Sequence, residues 1–239
     1  MKKYLFMLSL LPLCSFRLGH SDNVTHLKPF YHHVIAQAEP SDICVAAANP
    51  SHYYVVGNKG SIGEIDENGV ILRKTKNSLC DYEGVCMMGN TILAVDESAR
   101  RIDFVNESDF KVTRSIFVHY GGPRNKGFEG ITYVPSQKKF IMVTERPALL
   151  FELNDQLQVT AEVKMPQFYE LSSVTYHDGF LYFLSDEAHE VMKCDLTDYH
   201  IIQRWKIPVT NPEGICFDKD NNLLIVSDDM ATLFKFKMQ

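Results

Sequence analysis

Five places in this 239-residue chain carry one short pattern, and three of them put a glutamate at its centre. Glu83 lies in Asp81-Tyr82-Glu83-Gly84-Val85-Cys86. Glu129 lies in Phe128-Glu129-Gly130-Ile131-Thr132-Tyr133, and Glu213 in Pro212-Glu213-Gly214-Ile215-Cys216-Phe217. Two variants put Ser41 and Ser172 in that slot, each two residues after a glutamate, Glu39 or Glu170. Each anchor is followed by a second apolar run that ends near a polar residue: Asn58, Glu97, Glu145, Asp186 and Asp228. Converging carboxylates repel, and burial raises their pKa unless a cation compensates. Oxygen donors without His or Cys favour a hard ion, and Ca²⁺ tolerates an irregular shell of six to eight ligands. The candidate metal ligands are therefore Glu83, Glu129, Glu213, Glu97, Glu145, Asp186 and Asp228. Glu39 and Glu170 join them if they also point inward. Calcium is the expected cofactor.

The elements that must position these residues follow from the repeat. Aligned on Ser41, Glu83, Glu129, Ser172 and Glu213, the anchors are 42, 46, 43 and 41 residues apart. Each period holds about four short runs rich in Val, Ile, Tyr and Phe, separated by turn-forming stretches such as Asp66-Glu67-Asn68-Gly69. Such runs are strands. Four strands per period of roughly 43 residues predict an all-β, five-bladed β-propeller. The last period stops three strands in, and Pro29 to Ala36 is a spare strand upstream of the first anchor. It is expected to close the last blade and remove an exposed edge. In antiparallel neighbours the start of one strand lies beside the end of the next. Both sets of polar residues should thus meet on one face, near the channel mouth. A purely structural role, each Glu capping local backbone while Gly permits crowding at the axis, stands beside the metal reading.

Lys and Arg number 24 against 30 Asp and Glu, a net charge of −6. No basic stripe stands out, so no nucleic-acid partner is expected. Lys2 and Lys3 precede an apolar run from Tyr4 to Phe16, too short for a typical membrane span. Residues 1–21 read as a secretory signal or N-terminal membrane anchor, and 22–239 as one propeller domain. Without Lys2, Lys3 and Arg17 the balance becomes 21 − 30 = −9. Location in the periplasm or membrane-associated envelope follows, with membrane association through the N-terminus. The expected partners are a metal ion and a small molecule or envelope protein, with the chain itself a monomer. Five cysteines remain beyond the signal, with no CxxC spacing, which argues against a zinc knuckle or a full disulfide framework. There is no GxSxG elbow, HExxH or P-loop. Asp218-Lys-Asp-Asn-Asn starts like a calcium loop but has Leu223 at the sixth position, and reads as a turn.

The stretches Glu39-Pro-Ser-Asp, Asp81-Tyr-Glu-Gly, Phe128-Glu-Gly-Ile-Thr-Tyr, Glu170-Leu-Ser-Ser, Leu184-Ser-Asp-Glu and Pro212-Glu-Gly-Ile resemble the SdiA-regulated family, also called the YjiK family. The likeness spans about residues 24–239. It implies a bacterial envelope protein with a five-bladed propeller and a calcium site of unassigned purpose. The segment from Gly214 to Asp228 also looks like an NHL-repeat unit, a distant similarity. Blade one departs from the pattern, with Gly57-Asn58-Lys59 where the others place an acid. Two functions are compatible with these residues. One is a calcium-binding module for binding or scaffolding in the envelope. The other is a calcium-dependent hydrolase of phosphate esters or lactones, with Glu145 or Asp186 as base and Arg146 or Arg124 meeting an anionic substrate.

Overall fold

The repeat folds as its spacing predicts. The computed structural model describes residues 24–76, 78–123 and 126–238, so the N-terminal segment 1–21 and Arg124 lie outside the described residues. Two short strands come first, β1 (Thr25–His26) and β2 (Pro29–Val34). Blade one is β3 (Pro40–Val45), β4 (His52–Gly57), β5 (Ser61–Asp66) and β6 (Ile71–Lys74). Blade two is β7 (Tyr82–Met88), β8 (Thr91–Asp96), β9 (Arg101–Asn106) and β10 (Val112–Phe117). Blade three is β11 (Phe128–Val134), β12 (Lys139–Thr144), β13 (Leu149–Leu153) and β14 (Val159–Lys164). Blade four is β15 (Ser173–His177), β16 (Phe180–Ser185), β17 (Glu190–Cys194) and β18 (Ile201–Lys206). Blade five starts with β19 (Pro212–Phe217), β20 (Asn222–Ser227) and β21 (Thr232–Lys237). Among the described residues there is no helix.

The first strand of every blade is innermost, and β3, β7, β11, β15 and β19 touch their neighbours around a closed ring. The spare N-terminal strand does close the last blade. β2 pairs antiparallel with β21, with His32 opposite Phe234 and Val34 opposite Thr232. The closure has one part that the repeat did not reveal. β1 adds a fifth strand to blade four, parallel to β18, with Thr25 opposite Trp205. Leu27 N–H then donates to the Lys206 carbonyl at 2.9 Å. A two-residue strand has no periodicity to read, which is why pattern alone passes over it.

Burial explains the strand composition. The second strands are sandwiched between neighbouring blades and are apolar on both faces, as in Ile92-Leu93-Ala94-Val95 and Phe140-Ile141-Met142-Val143. The outermost strands alternate half-buried and exposed residues, as in β6 and β14. Five apolar clusters result, one at each seam between blades. At the seam of blades two and three, Leu93 and Val95 meet Phe128, Phe140 and Met142, and the Phe128 and Phe151 rings cross at 82°. Each fully buried side chain of this size contributes about 1.5–3 kcal/mol. The five described cysteines are free thiols, and Cys86, Cys194 and Cys216 are buried as small packing groups.

Deleting residues 1–35 removes β1 and β2 and leaves β21 as an open edge next to buried Leu233 and Phe236. The expected outcome is a lower melting temperature and self-association, seen by thermal denaturation and size-exclusion chromatography. An unchanged melting point in a monodisperse protein would refute the closing role of β2.

Candidate functional site

The site begins at the axis, where five inner strands converge. After the anchor, three blades carry glycine, and the spacing shows why. A Cβ on Gly130 would lie 2.5 Å from the Val174 amide nitrogen, and one on Gly214 would lie 2.6 Å from the Asp42 Cα. Gly84 likewise faces the Glu129 carbonyl. No side chain fits there. The two blades without this glycine carry Asp42 and Ser173, and these side chains fill the axis. Asp42 is 1% exposed. It accepts a hydrogen bond from the Val85 amide of blade two at 2.8 Å, and another from the Ser173 hydroxyl of blade four at 2.8 Å. Ser172 donates to the Pro212 carbonyl of blade five at 3.0 Å. Asp42 is thus a tie across the centre of the ring, and its role was not foreseen from sequence.

The anchors themselves sit on irregularities. The pairing register shifts between Pro40 and Asp42, Tyr82 and Gly84, Phe128 and Ile131, and Pro212 and Gly214. Ser41, Glu83, Glu129 and Glu213 are therefore bulge residues, and a bulge re-aims its side chain. The second set is held by a repeated bond. The amides of Asn58, Glu97, Glu145 and Asp228 donate to the carbonyls of Glu39, Asp81, Gly127 and Asn211, at 2.9 to 3.3 Å. In blade four the Glu170 carboxylate accepts from the Asp186 amide instead, at 3.0 Å.

A cup of about 240 Å³ results, on one face of the ring. Of the residues expected from sequence, Glu83, Glu129, Glu213, Glu97, Glu145, Asp186, Asp228 and Glu170 line it, together with Ser41, Ser172 and Asn58. Glu39 is not in the lining. Its carboxylate turns to Lys59, the cation that blade one has beside Asn58. Glu170 is largely satisfied within the protein, by the Ser185 hydroxyl at 2.6 Å and the Asp186 and Glu187 amides. Glu97 accepts from the Gly127 amide at 2.6 Å. Lys126 pairs with Glu145, and Arg146 with Glu187. Asp81 was missed. It shares its slot, two residues before the anchor, with Glu39 and Glu170, so the same rule applied to blade two would have found it. Asp81, Glu83 and Glu97 each present one carboxylate oxygen within 4.8 Å of the other two.

The charge of the cup is compensated only in part, by Lys126 at Glu145. Burial pushes Glu83 and Glu129 well above the usual carboxylate range. Neighbouring carboxylates add to both shifts, Asp81 first for Glu83 and Glu83 first for Glu129. Burial raises Glu213 to about 8, helped by Asp186 and Asp228. Burial raises Glu97 to about 7, opposed by the Gly127 amide. Asp81, Asp186 and Asp228 are raised as well, chiefly by burial. Beneath them, burial lifts Asp42 to about 8 against the pull of the Val85 amide and Ser173 hydroxyl.

A model of SdiA-regulated proteins matches residues 31–237. The chain belongs to the SdiA-regulated family. No curated protein sequence matches it. Among solved structures it is similar to a glutaminyl cyclase from Myxococcus xanthus, with a TM-score of 0.73 and 12% identity over 90% of this chain and 97% of that one. It is also similar to a streptogramin B lyase, with a TM-score of 0.52 and 14% identity over 84% of this chain and 65% of that one. At such identities the likeness is one of fold.

Two expectations follow. Gly130→Ala forces a methyl against the Val174 backbone and should destabilise the protein by about 1–3 kcal/mol in urea unfolding. Gly121→Ala, with open space at its Cβ, is the control and should stay within about 0.5 kcal/mol. The second concerns pH. Asp42, Glu97 and Glu213 bind protons more tightly in the folded chain than at their ordinary values of 3.8 to 4.5. Their stabilisation is full below about pH 4 and is lost as pH rises through 7 to 8. In chelator, the melting temperature should fall from pH 5 to pH 8, and less steeply in Asp42→Asn. A melting temperature that rises across this range would contradict the assignment.

Proposed function

We propose that the chain is an exported cation-binding propeller whose cup holds a calcium ion and serves as a binding or scaffold module of the cell envelope. The observation that carries this reading is the triad of Asp81, Glu83 and Glu97, whose oxygens lie within 4.8 Å of one another, with Glu83 and Glu97 lining the cup. The donor set is oxygen only, which suits a hard divalent cation of flexible coordination. Calcium bound there would supply the positive charge that the cup lacks. The residues themselves do the positioning. The bulge aims Glu83 inward, and the Gly127 amide fixes one oxygen of Glu97. The Glu97 amide on the Asp81 carbonyl keeps those two residues side by side. Glu129, Glu213, Glu145, Asp186 and Asp228 complete an acidic field around this centre, and Glu170 braces blade four. Export and attachment to the membrane rest on the N-terminal sequence, Lys2 to Phe16. No helix of the described residues is long and apolar enough to cross a membrane.

A catalytic role is the second reading. It draws on the near full-length similarity to the glutaminyl cyclase fold and on Glu97, whose pKa of about 7 suits proton transfer near neutral pH. The phosphoesterase version is disfavoured by the cations at the rim. Lys59, Lys126 and Arg146 are each paired with a carboxylate, so no free cation among these three greets an anionic substrate.

Calcium titration with thermal melting decides between occupancy and none. At a hundred times Kd, a bound ion stabilises by about 2.7 kcal/mol, or about 5–11 °C for a domain of this size. Glu83→Gln and Glu97→Gln should abolish the shift. A shift that survives both substitutions would place the ion elsewhere, and no shift in the unaltered protein would overturn the proposal. Turnover of lactone or phosphodiester substrates that is lost in Glu97→Gln would favour the catalytic reading.

A further inference from the structure

The face opposite the cup holds another cavity, at the seam where the ring closes. β20 runs from one face to the other, with Asn222 at its start and Asp228 of the cup just past its end. At about 3.3 Å per residue, these two lie about 20 Å apart. Around Asn222, between blades five and one, a cavity of about 610 Å³ opens. That is a usual size for a small-molecule site. Internal pairs account for part of its lining. Lys219 is tied to blade one, by the Ser51 hydroxyl at 2.6 Å and the Glu67 carboxylate at 2.9 Å. Asp218 accepts from the Asp220 and Asn222 amides, and its Oδ2 accepts from Asn222 Nδ2 at 2.8 Å.

Other lining groups are left over. Lys235 is 9% exposed and donates no hydrogen bond among the described residues. Its ammonium stands 4.0 Å from Asp218 Oδ2 and 5.6 Å from the centre of the Tyr31 ring. The first distance carries charge attraction but is too long for a hydrogen bond. Asn222 is 6% exposed, and its Oδ1 is buried with no donor. Lys237 lies 5.2 Å from the Phe30 ring and pairs with no acid among the described residues. The Lys235 ammonium and the Asn222 amide flank one atom, Asp218 Oδ2, so an unmet donor and an unmet acceptor stand side by side. Buried polar groups without partners are costly, and this corner suits a ligand that brings an acceptor and a donor together.

We infer that this cavity binds an α-amino acid with a free carboxylate, a free ammonium and an apolar side chain. The carboxylate accepts from Lys235, and Lys237 adds positive charge at the rim. The ammonium donates to Asn222 Oδ1, on the side of the Asp218 and Asp220 carboxylates. One carbon separates the two charges of such a ligand, which matches groups that share Asp218 Oδ2. Lys219, Lys235 and Lys237 balance Glu67, Asp218 and Asp220, so the lining has no net charge. A ligand without net charge fits that balance, whereas a phosphate dianion would face three carboxylates. Phe30, 52% exposed, offers apolar surface to the side chain. The site needs no ion in the cup.

Calorimetric titration of the full chain with L-phenylalanine tests this, with 3-phenylpropanoate and 2-phenylethylamine as probes that each lack one of the two charges. Phenylalanine should bind at one site with a Kd below about 1 mM, at least tenfold more tightly than either probe. Lys235→Met keeps the apolar stem, removes the ammonium and should weaken phenylalanine at least tenfold. Lys237→Met, at an exposed position, is the second variant should the first fold poorly, and should weaken it at least threefold at an unchanged melting temperature. Glu83→Gln, in the cup, should leave the affinity within twofold. Absence of phenylalanine binding, or equal binding of either singly charged probe, would overturn the inference. Binding that survives both lysine substitutions but is lost in Glu83→Gln would overturn it too, and would place the ligand in the cup.

Discussion

The close approach of five inner strands at the axis is the constraint on which the rest depends. At Gly84, Gly130 and Gly214 the neighbouring backbone leaves no room for a Cβ. The ring closes because three blades give up a side chain and the remaining two contribute Asp42 and Ser173, which bond to each other in the vacated space. Bulges at the preceding residues then turn Ser41, Glu83, Glu129 and Glu213 away from the crowded layer, and the cup lies above it. The acidic face and the packed axis are one arrangement seen at two depths. A buried carboxylate at that depth is costly unless several groups serve it, and the Val85 amide and the Ser173 hydroxyl do so.

Much of this was legible in the chain. The five-blade count and the closing strand follow from repeat spacing and from strand arithmetic. The cup could be foreseen because equivalent positions in a repeat fold to equivalent places, so Glu83, Glu129 and Glu213 had to share a face. The misses have physical causes. Asp42 occupies a slot that is glycine in three blades, and only the three-dimensional crowding gives that substitution meaning. Glu39 and Glu170 share a slot in sequence, yet Lys59 draws one outward while Ser185 holds the other against the cup. The partner of a side chain, not its position in the repeat, decides where its charge goes. Asp81 was in view but was treated as a flank of Glu83.

The cup is built from a recurring frame that presents different side chains. The frame of anchors and backbone bonds recurs in the blades, while the side chains it presents differ from blade to blade. Asn58 replaces an acid in blade one, Ser41 and Ser172 replace glutamates, and Lys126 partly neutralises Glu145. Five-fold repetition supplies the scaffold, and the departures from it give the cup a direction.

The two N-terminal strands have a mechanical consequence. β1 lies on blade four and β2 on blade five, so the first described residues stitch two adjacent blades at their outer rims. Tension applied at the N-terminus, as from a tether to a surface, is met first by the two-residue pairing of β1 with β18. It passes next to the longer pairing of β2 with β21, the closure of the ring itself. The load thus reaches the outer edges of blades four and five before it reaches the axis. The outer strands would be peeled away while Asp42 still holds the inner strands together.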